Sequence, residues 1–214
     1  MTILSGDFCP PLTRMHFHCE IEKWGWEIGE HTYGQPRVID ADWAPLRIGR
    51  YCSIAAEVTI VLANHRTDTA TTYPFWTVSH QWREAAQGEP DHEARGGVAI
   101  GHDVWIGAGA LIVPGTVIGH GAVVAGHAVA RGTVPPYAVV AGSPARVVRY
   151  RFSESIIARL LAVAWWDWDE ALLRRRLPLM MSSDIERFLI EAEKDDRNSA
   201  ADQKQDVTNL ASCA

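Results

Sequence analysis

The chain has 214 residues, 47% hydrophobic and 21% charged, enough for one well-buried domain with an appendage. Its formal net charge of −6 excludes a general nucleic-acid binder, whose phosphate affinity needs a surplus of clustered Lys and Arg. Cys9, Cys19, Cys52 and Cys213 lack the spacings of a zinc site or a disulfide framework, the first residues lack a secretory signal pattern, and no stretch approaches the roughly 18–20 apolar residues of a membrane span, so a soluble cytoplasmic protein is expected.

In chain order, residues 1–47 form an N-terminal segment, within which IGEHTY from Ile28 reads as an outer coil of the repeat that follows. The repeat proper occupies 48–150. IGRYCS from Ile48 and IAAEVT from Ile54 begin it, with Ile60 at the next row position, and from Ile100 the chain runs IGHDVW, IGAGAL, IVPGTV, IGHGAV, VAGHAV and ARGTVP. Ile100, Ile106, Ile112, Ile118, Val124 and Ala130 make one row with a period of six, and Val104, Ala110, Thr116, Ala122, Ala128 and Val134 make a second. Ile48 and Ile100 are 52 apart, which is not a multiple of six, so residues 61–97 must leave the repeat as a long excursion loop. Ordered loops of that size usually carry function.

A helix of 3.6 residues per turn cannot keep a six-residue period on one face, and the frequent Gly would weaken it further. Short strands fit instead, two side chains of each hexad pointing inward, three hexads completing a triangular coil and coils stacking by parallel hydrogen bonding. This predicts an all-β solenoid. Beyond Pro144 the apolar spacing turns helical in SESIIARLLAVAWWDWDEALLRRRL and SSDIERFLIEAEK, with Ser153 and Ser183 as expected N-caps, placing C-terminal α-helices over 151–193. The polar, aperiodic stretch 194–214 reads as a disordered tail.

ANHRTDTATTYPF at Ala63–Phe75, IGHDVWIG at Ile100, PPYAVVAGSPARVVRYRF at Pro135 and AWWDW at Ala164 occur in an order that resembles the type B chloramphenicol and streptogramin acetyltransferases, the xenobiotic branch of the hexapeptide-repeat acyltransferases. The resemblance runs from about Ile48 to Leu179. It implies a left-handed parallel β-helix, a handedness that the period itself does not give and that runs against the right-handed rule for parallel crossovers. It also implies acetyl transfer from acetyl-coenzyme A to a hydroxyl of a small acceptor such as chloramphenicol or a streptogramin, no metal, and a homotrimer with sites at subunit interfaces.

By the same resemblance His65 matches the catalytic histidine at the root of the loop, and histidine is the side chain that exchanges a proton near neutral pH. Ala108, Gly126, Arg131, Ser143, Arg146 and Arg149 match the coenzyme A positions: small residues admit the pantetheine arm to the backbone, and arginines suit the phosphates. Arg146 and Arg149 also read as an ordinary exposed basic stretch, and Gly132 stands where a family lysine is common. Tyr33, Asp68 and Tyr73 are the candidate acceptor contacts. Trp24, Trp26, Tyr33, Trp43, Tyr73, Phe75 and Trp76 read equally as an acceptor wall or as core and trimer contacts, Asp68 equally as a loop cap. His102, His120 and His127 read as solvated corner residues. The segment KWGWEIGEHTYGQPRVIDADWAPL departs from the family pattern, which keeps an O- or N-acetyltransferase of a sugar or polysaccharide precursor as the rival reading. A nonenzymatic hexad scaffold and a β-helical carbonic anhydrase are the others.

Overall fold

The computed structural model of the protein describes residues 11–194, so the tail expected over 194–214 falls, from residue 195 on, outside the described residues. The chain divides into two compact units, Met1–Arg151 and Phe152–Ala214.

In the first unit, α1 (Thr13–His16) and α2 (His18–Trp24) precede β1 (Glu27–Ile28) and β2 (Arg37–Ile39). Next come β3 (Leu46–Ile48), β4 (Ser53–Ile54) and β5 (Thr59–Val61). After a loop holding β6 (Asn64–His65) and β7 (His92–Glu93), the strands β8 (Val98–Ile100), β9 (Trp105–Ile106) and β10 (Leu111–Ile112) follow. The series continues through β11 (Val117–Ile118), β12 (Val123–Val124), β13 (Val129–Ala130), β14 (Thr133–Val134), β15 (Ala138–Gly142) and β16 (Ala145–Tyr150). These assemble into a first sheet ordered β1-β3-β8-β11-β14, a second ordered β4-β9-β12-β15-β16 and a third ordered β2-β5-β10-β13. Every pairing within the three sheets is parallel except that of β16 on β15. From β3 to β15, the loop strands β6 and β7 apart, the chain visits the three sheets in fixed rotation, one short strand at a time.

The hexad rows become the core. Ile28, Ile48, Ile100, Ile118 and Val134 lie in register across the first sheet, and Ile54, Ile106, Val124 and Val140 across the second. Ile60, Ile112 and Ala130 do the same in the third, and all of these side chains are buried together. The second row is buried too, and Thr116, its one polar member, bonds the Val113 and Ala130 carbonyls. Ile48 pairs directly with Ile100, so the excursion interrupts the sequence without disturbing the ladder.

Every strand of the first sheet except β14 is followed directly by Gly, because the corner is crowded. A Cβ on Gly49 would stand 2.5 Å from the Gly101 carbonyl oxygen, and one on Gly119 would stand 2.5 Å from the Pro136 nitrogen. At the same corner the expectation of solvated histidines needs correction. The Arg50 amide donates to His102 Nδ1 at 2.8 Å, the His102 amide donates to His120 Nδ1 at 2.9 Å, and the two rings stack at 5.0 Å. Half-buried amides at a turn need acceptors, and these imidazoles supply them. His127 is exposed as expected.

The helices α1 and α2 were not legible in the N-terminal segment, where aromatic residues obscure the helical spacing. Apolar residues in and beside them join the core: Phe17, between the helices, and Trp26, just past α2, are buried edge to face at 5.3 Å, with Ile21 and Trp24 of α2 packed alongside. Trp24 and Trp26 are therefore core contacts. In the second unit α3 (Glu154–Val163) is capped by Ser153, as expected, and α4 (Glu170–Met180) by Asp169. The helix beginning at residue 185 is capped by Asp184, whose carboxylate accepts from the Arg187 amide at 3.1 Å, and not by Ser183. Trp166 is buried and Trp168 meets Phe188 at 6.0 Å, so the AWWDW block packs within this unit. No described helix is long and apolar enough to cross a membrane.

Candidate active site

The loop between β5 and β8 is tied at its root by an antiparallel pair in which Asn64 faces Glu93 and His65 faces His92. His65 is exposed, and its Nδ1 lies 2.7 Å from the Thr72 carbonyl oxygen. A carbonyl only accepts, so Nδ1 carries the proton and Nε2 is left with its lone pair, the tautomer a general base requires.

The facing side is more buried than the rest of the loop. His92 Nδ1 donates to Asp91 Oδ1 at 2.7 Å, and the Thr77 amide and hydroxyl donate to the same carboxylate at 2.9 and 2.7 Å. Burial would raise the Asp91 carboxyl, but the Thr77 donors and His92 outweigh it and hold the group down at about 2. The His92 ring lies 4.3 Å from that of His65 and 4.9 Å from Trp43. Asp91 and His92 were missed by sequence reasoning. Their signal was an Asp-His dipeptide at the far end of the loop, and nothing periodic links that end to His65.

The expected acceptor residues are not brought together. Tyr73 stands over a cavity of about 540 Å³ inside the loop, lined also by Arg66, Phe75, Trp76, Glu84 and Asp91. His65 does not line it, although its neighbour Arg66 does. Tyr33 lies elsewhere, bridged to Leu12 and Ser53, with its hydroxyl accepting from Ser53. Asp68 holds Arg66 through two 3.0 Å bonds, Arg66 reaches Glu89 with another nitrogen, and the guanidinium beside Asp68 lowers its carboxyl. Asp68 thus pairs with Arg66 within the loop while its side chain stays exposed.

The coenzyme A candidates occupy more than one edge. Ala108 and Gly126 are exposed and stacked at the corner between the second and third sheets, where a Cβ on Gly126 would lie 3.2 Å from the Ala108 carbonyl oxygen. Ser143 is exposed at the next level of that corner, and Arg146 and Arg149 are exposed on β16. Arg131 lies just past β13, at the corner between the third and first sheets, the same corner from which the loop departs. The candidates therefore flank the third sheet, with a flat backbone edge on one side and the loop root on the other.

The buried Cys52 thiol is pushed up to about 11 by burial, which removes it as a thiolate nucleophile. Among the described residues no group of three His, Cys, Asp or Glu side chains is placed to hold a metal ion.

Compared with known proteins, the chain is 40% identical to the chloramphenicol acetyltransferase of Escherichia coli over 143 residues, 65% of this chain and 68% of that protein. It is 41% identical to the virginiamycin A acetyltransferase of Staphylococcus aureus over 143 residues, 66% of this chain and 65% of that protein. A probable macrolide acetyltransferase of Lysinibacillus sphaericus is 36% identical over 139 residues, 64% of this chain and 77% of that protein. No family model matches the chain. With an acetyltransferase matched at 40% identity over more than two thirds of its length, the chain belongs to the acetyltransferase family that includes the chloramphenicol and virginiamycin A enzymes.

Proposed function

We propose that this acetyltransferase moves an acetyl group from acetyl-coenzyme A to a hydroxyl of a small acceptor such as chloramphenicol or a streptogramin, with His65 as general base. The observation that carries the reading is the Thr72 carbonyl at 2.7 Å from His65 Nδ1, which leaves Nε2 as the proton acceptor on an exposed ring at the loop root. As Nε2 takes the acceptor's hydroxyl proton, the oxygen attacks the thioester carbonyl. The tetrahedral adduct then collapses with cleavage of the carbon–sulfur bond, and the proton passes from the imidazolium to the departing thiolate. No covalent acyl-enzyme is needed.

Arg146 and Arg149 suit the phosphates of coenzyme A, and the Ala108–Gly126 corner, with Ser143 beyond it, suits the pantetheine arm. Arg131 adds a cation at the other edge. Tyr73 and the aromatic wall of the loop cavity suit the acceptor, with Tyr33 at a separate place on the surface and Asp68 bracing the loop. The rotation of short parallel strands is read as a left-handed β-helix, and the protein as a cytoplasmic homotrimer with sites between subunits. Exposed apolar side chains on the sheet faces support association: Trp105 is 55% exposed, Val117 48% and Val148 61%.

The test is thiol release from acetyl-coenzyme A with chloramphenicol, streptogramin A and amino- and hydroxy-sugars as acceptors. Release with a drug is expected, and His65→Ala should lower turnover by about 10²- to 10⁴-fold while the protein stays folded. Release only with a sugar would transfer the enzyme to the rival class of sugar or polysaccharide-precursor acetyltransferases, and undiminished turnover in His65→Ala would remove the base.

A further inference from the structure

Beside His65 stands an assembly to which the proposed proton transfers give no role, although Asp91 also lines the loop cavity. From Arg66 to Pro90 most side chains of the excursion loop are exposed, whereas those of His92 and Asp91 are 9% and 15% exposed. An ionised carboxylate withdrawn from water in an otherwise solvated loop is costly unless its lone pairs are used. Asp91 spends them on the Thr77 amide, the Thr77 hydroxyl and His92 Nδ1. The result is a fixed imidazole: Asp91 sets the tautomer of His92, and Trp43 backs its ring at 4.9 Å. The other neighbour of that ring is His65, at 4.3 Å and inclined by 50°, directly opposite in the β6–β7 pair.

We propose that Asp91 and His92 are a positioning pair for His65, the fixed ring of His92 forming the stop against which the base rests. The inference depends on the reading of His65 as base. The Thr72 carbonyl restrains one ring nitrogen of His65 but leaves the ring free to swing about that bond, and a second contact at ring distance removes the freedom. An exposed base held in one orientation keeps its lone pair aligned, whereas a swinging one is aligned for a fraction of the time, and small misplacements of catalytic groups cost large factors in rate. His92 needs no contact with substrate for this. Its effect should pass through His65 alone.

The experiment is a double-mutant cycle on the full chain, reading kcat and the KM for acetyl-coenzyme A alongside thermal melting. His92→Ala should lower kcat by about 10- to 100-fold and leave KM within about twofold. His92→Phe, which keeps a flat ring at the stop, should recover most of the loss. In the His65→Ala background, His92→Ala should change the residual turnover by less than about twofold. If His92→Ala does not fold, Asp91→Asn, which frees the His92 ring, carries the same cycle. An unchanged kcat in the single variant, or a loss that recurs in full when His65 is already gone, overturns the positioning role. If His65→Ala itself leaves turnover intact, the base assignment fails and this inference fails with it. If His65→Ala collapses turnover and His92→Ala does not, only the pair is wrong.

Discussion

At the residue scale, histidine does two different jobs in one short chain. In the proposed mechanism His65 keeps a lone pair for chemistry, while His102 and His120 give theirs to backbone amides one level apart at a corner. Removing such an acceptor leaves an amide unsatisfied, so His120→Ala should lower unfolding stability by about 1–3 kcal/mol in urea titration, and His120→Asn, which offers a carbonyl oxygen in its place, should recover part of it. His65 was legible because the NHR block resembles a known family. Asp91 and His92 were not, because their role depends on the two ends of a loop meeting in an antiparallel pair, and that meeting has no periodic trace in the chain. Asp68 kept two readings, since sequence does not say that Arg66 would take both of its oxygens.

At the element scale, the hexad is a contract between neighbouring levels more than a local preference. The aliphatic residue is buried by the strands above and below, and the Gly after it exists because the next level's backbone stands where a Cβ would go. Gly119→Ala should therefore cost about 2–3 kcal/mol in chemical unfolding, since the obstacle is the Pro136 backbone. Gly132→Ala should cost about 1 kcal/mol, because that glycine has a φ of +65° but nothing within 4 Å of its would-be Cβ. A cost at Gly119 no larger than at Gly132 would refute the crowding argument. The strands, both inward rows and the loop were readable from period six alone, and the helices after the repeat from their helical apolar spacing. The cap at Asp184 and the helices α1 and α2 were not: several capping residues in succession compete for one helix start, and α2 buries Ile21 and Trp24 over too few residues to show a period.

At the scale of the whole molecule, Ala108, Gly126 and Ser143 lie at one edge of the third sheet and the loop root, with Arg131, at the other; in the proposed assembly a second subunit laid along that sheet would complete the site. Specific activity should therefore fall on dilution through the range where light scattering reports dissociation, and recover on concentration. Activity that survives in a demonstrated monomer would refute sites built between subunits. The ladder carries a different consequence. Ile48 meets Ile100 in register just as Ile100 meets Ile118, although the first pair is 52 residues apart and the second 18, and Gly97 then accepts the Gly115 amide at 2.8 Å to resume the circuit. Insertions, deletions and exchanges within the loop tip leave that register untouched. If the loop cavity is the acceptor site, as proposed, acceptor range can diverge by mutation in one segment while the folding of the remainder stays under its own, separate selection.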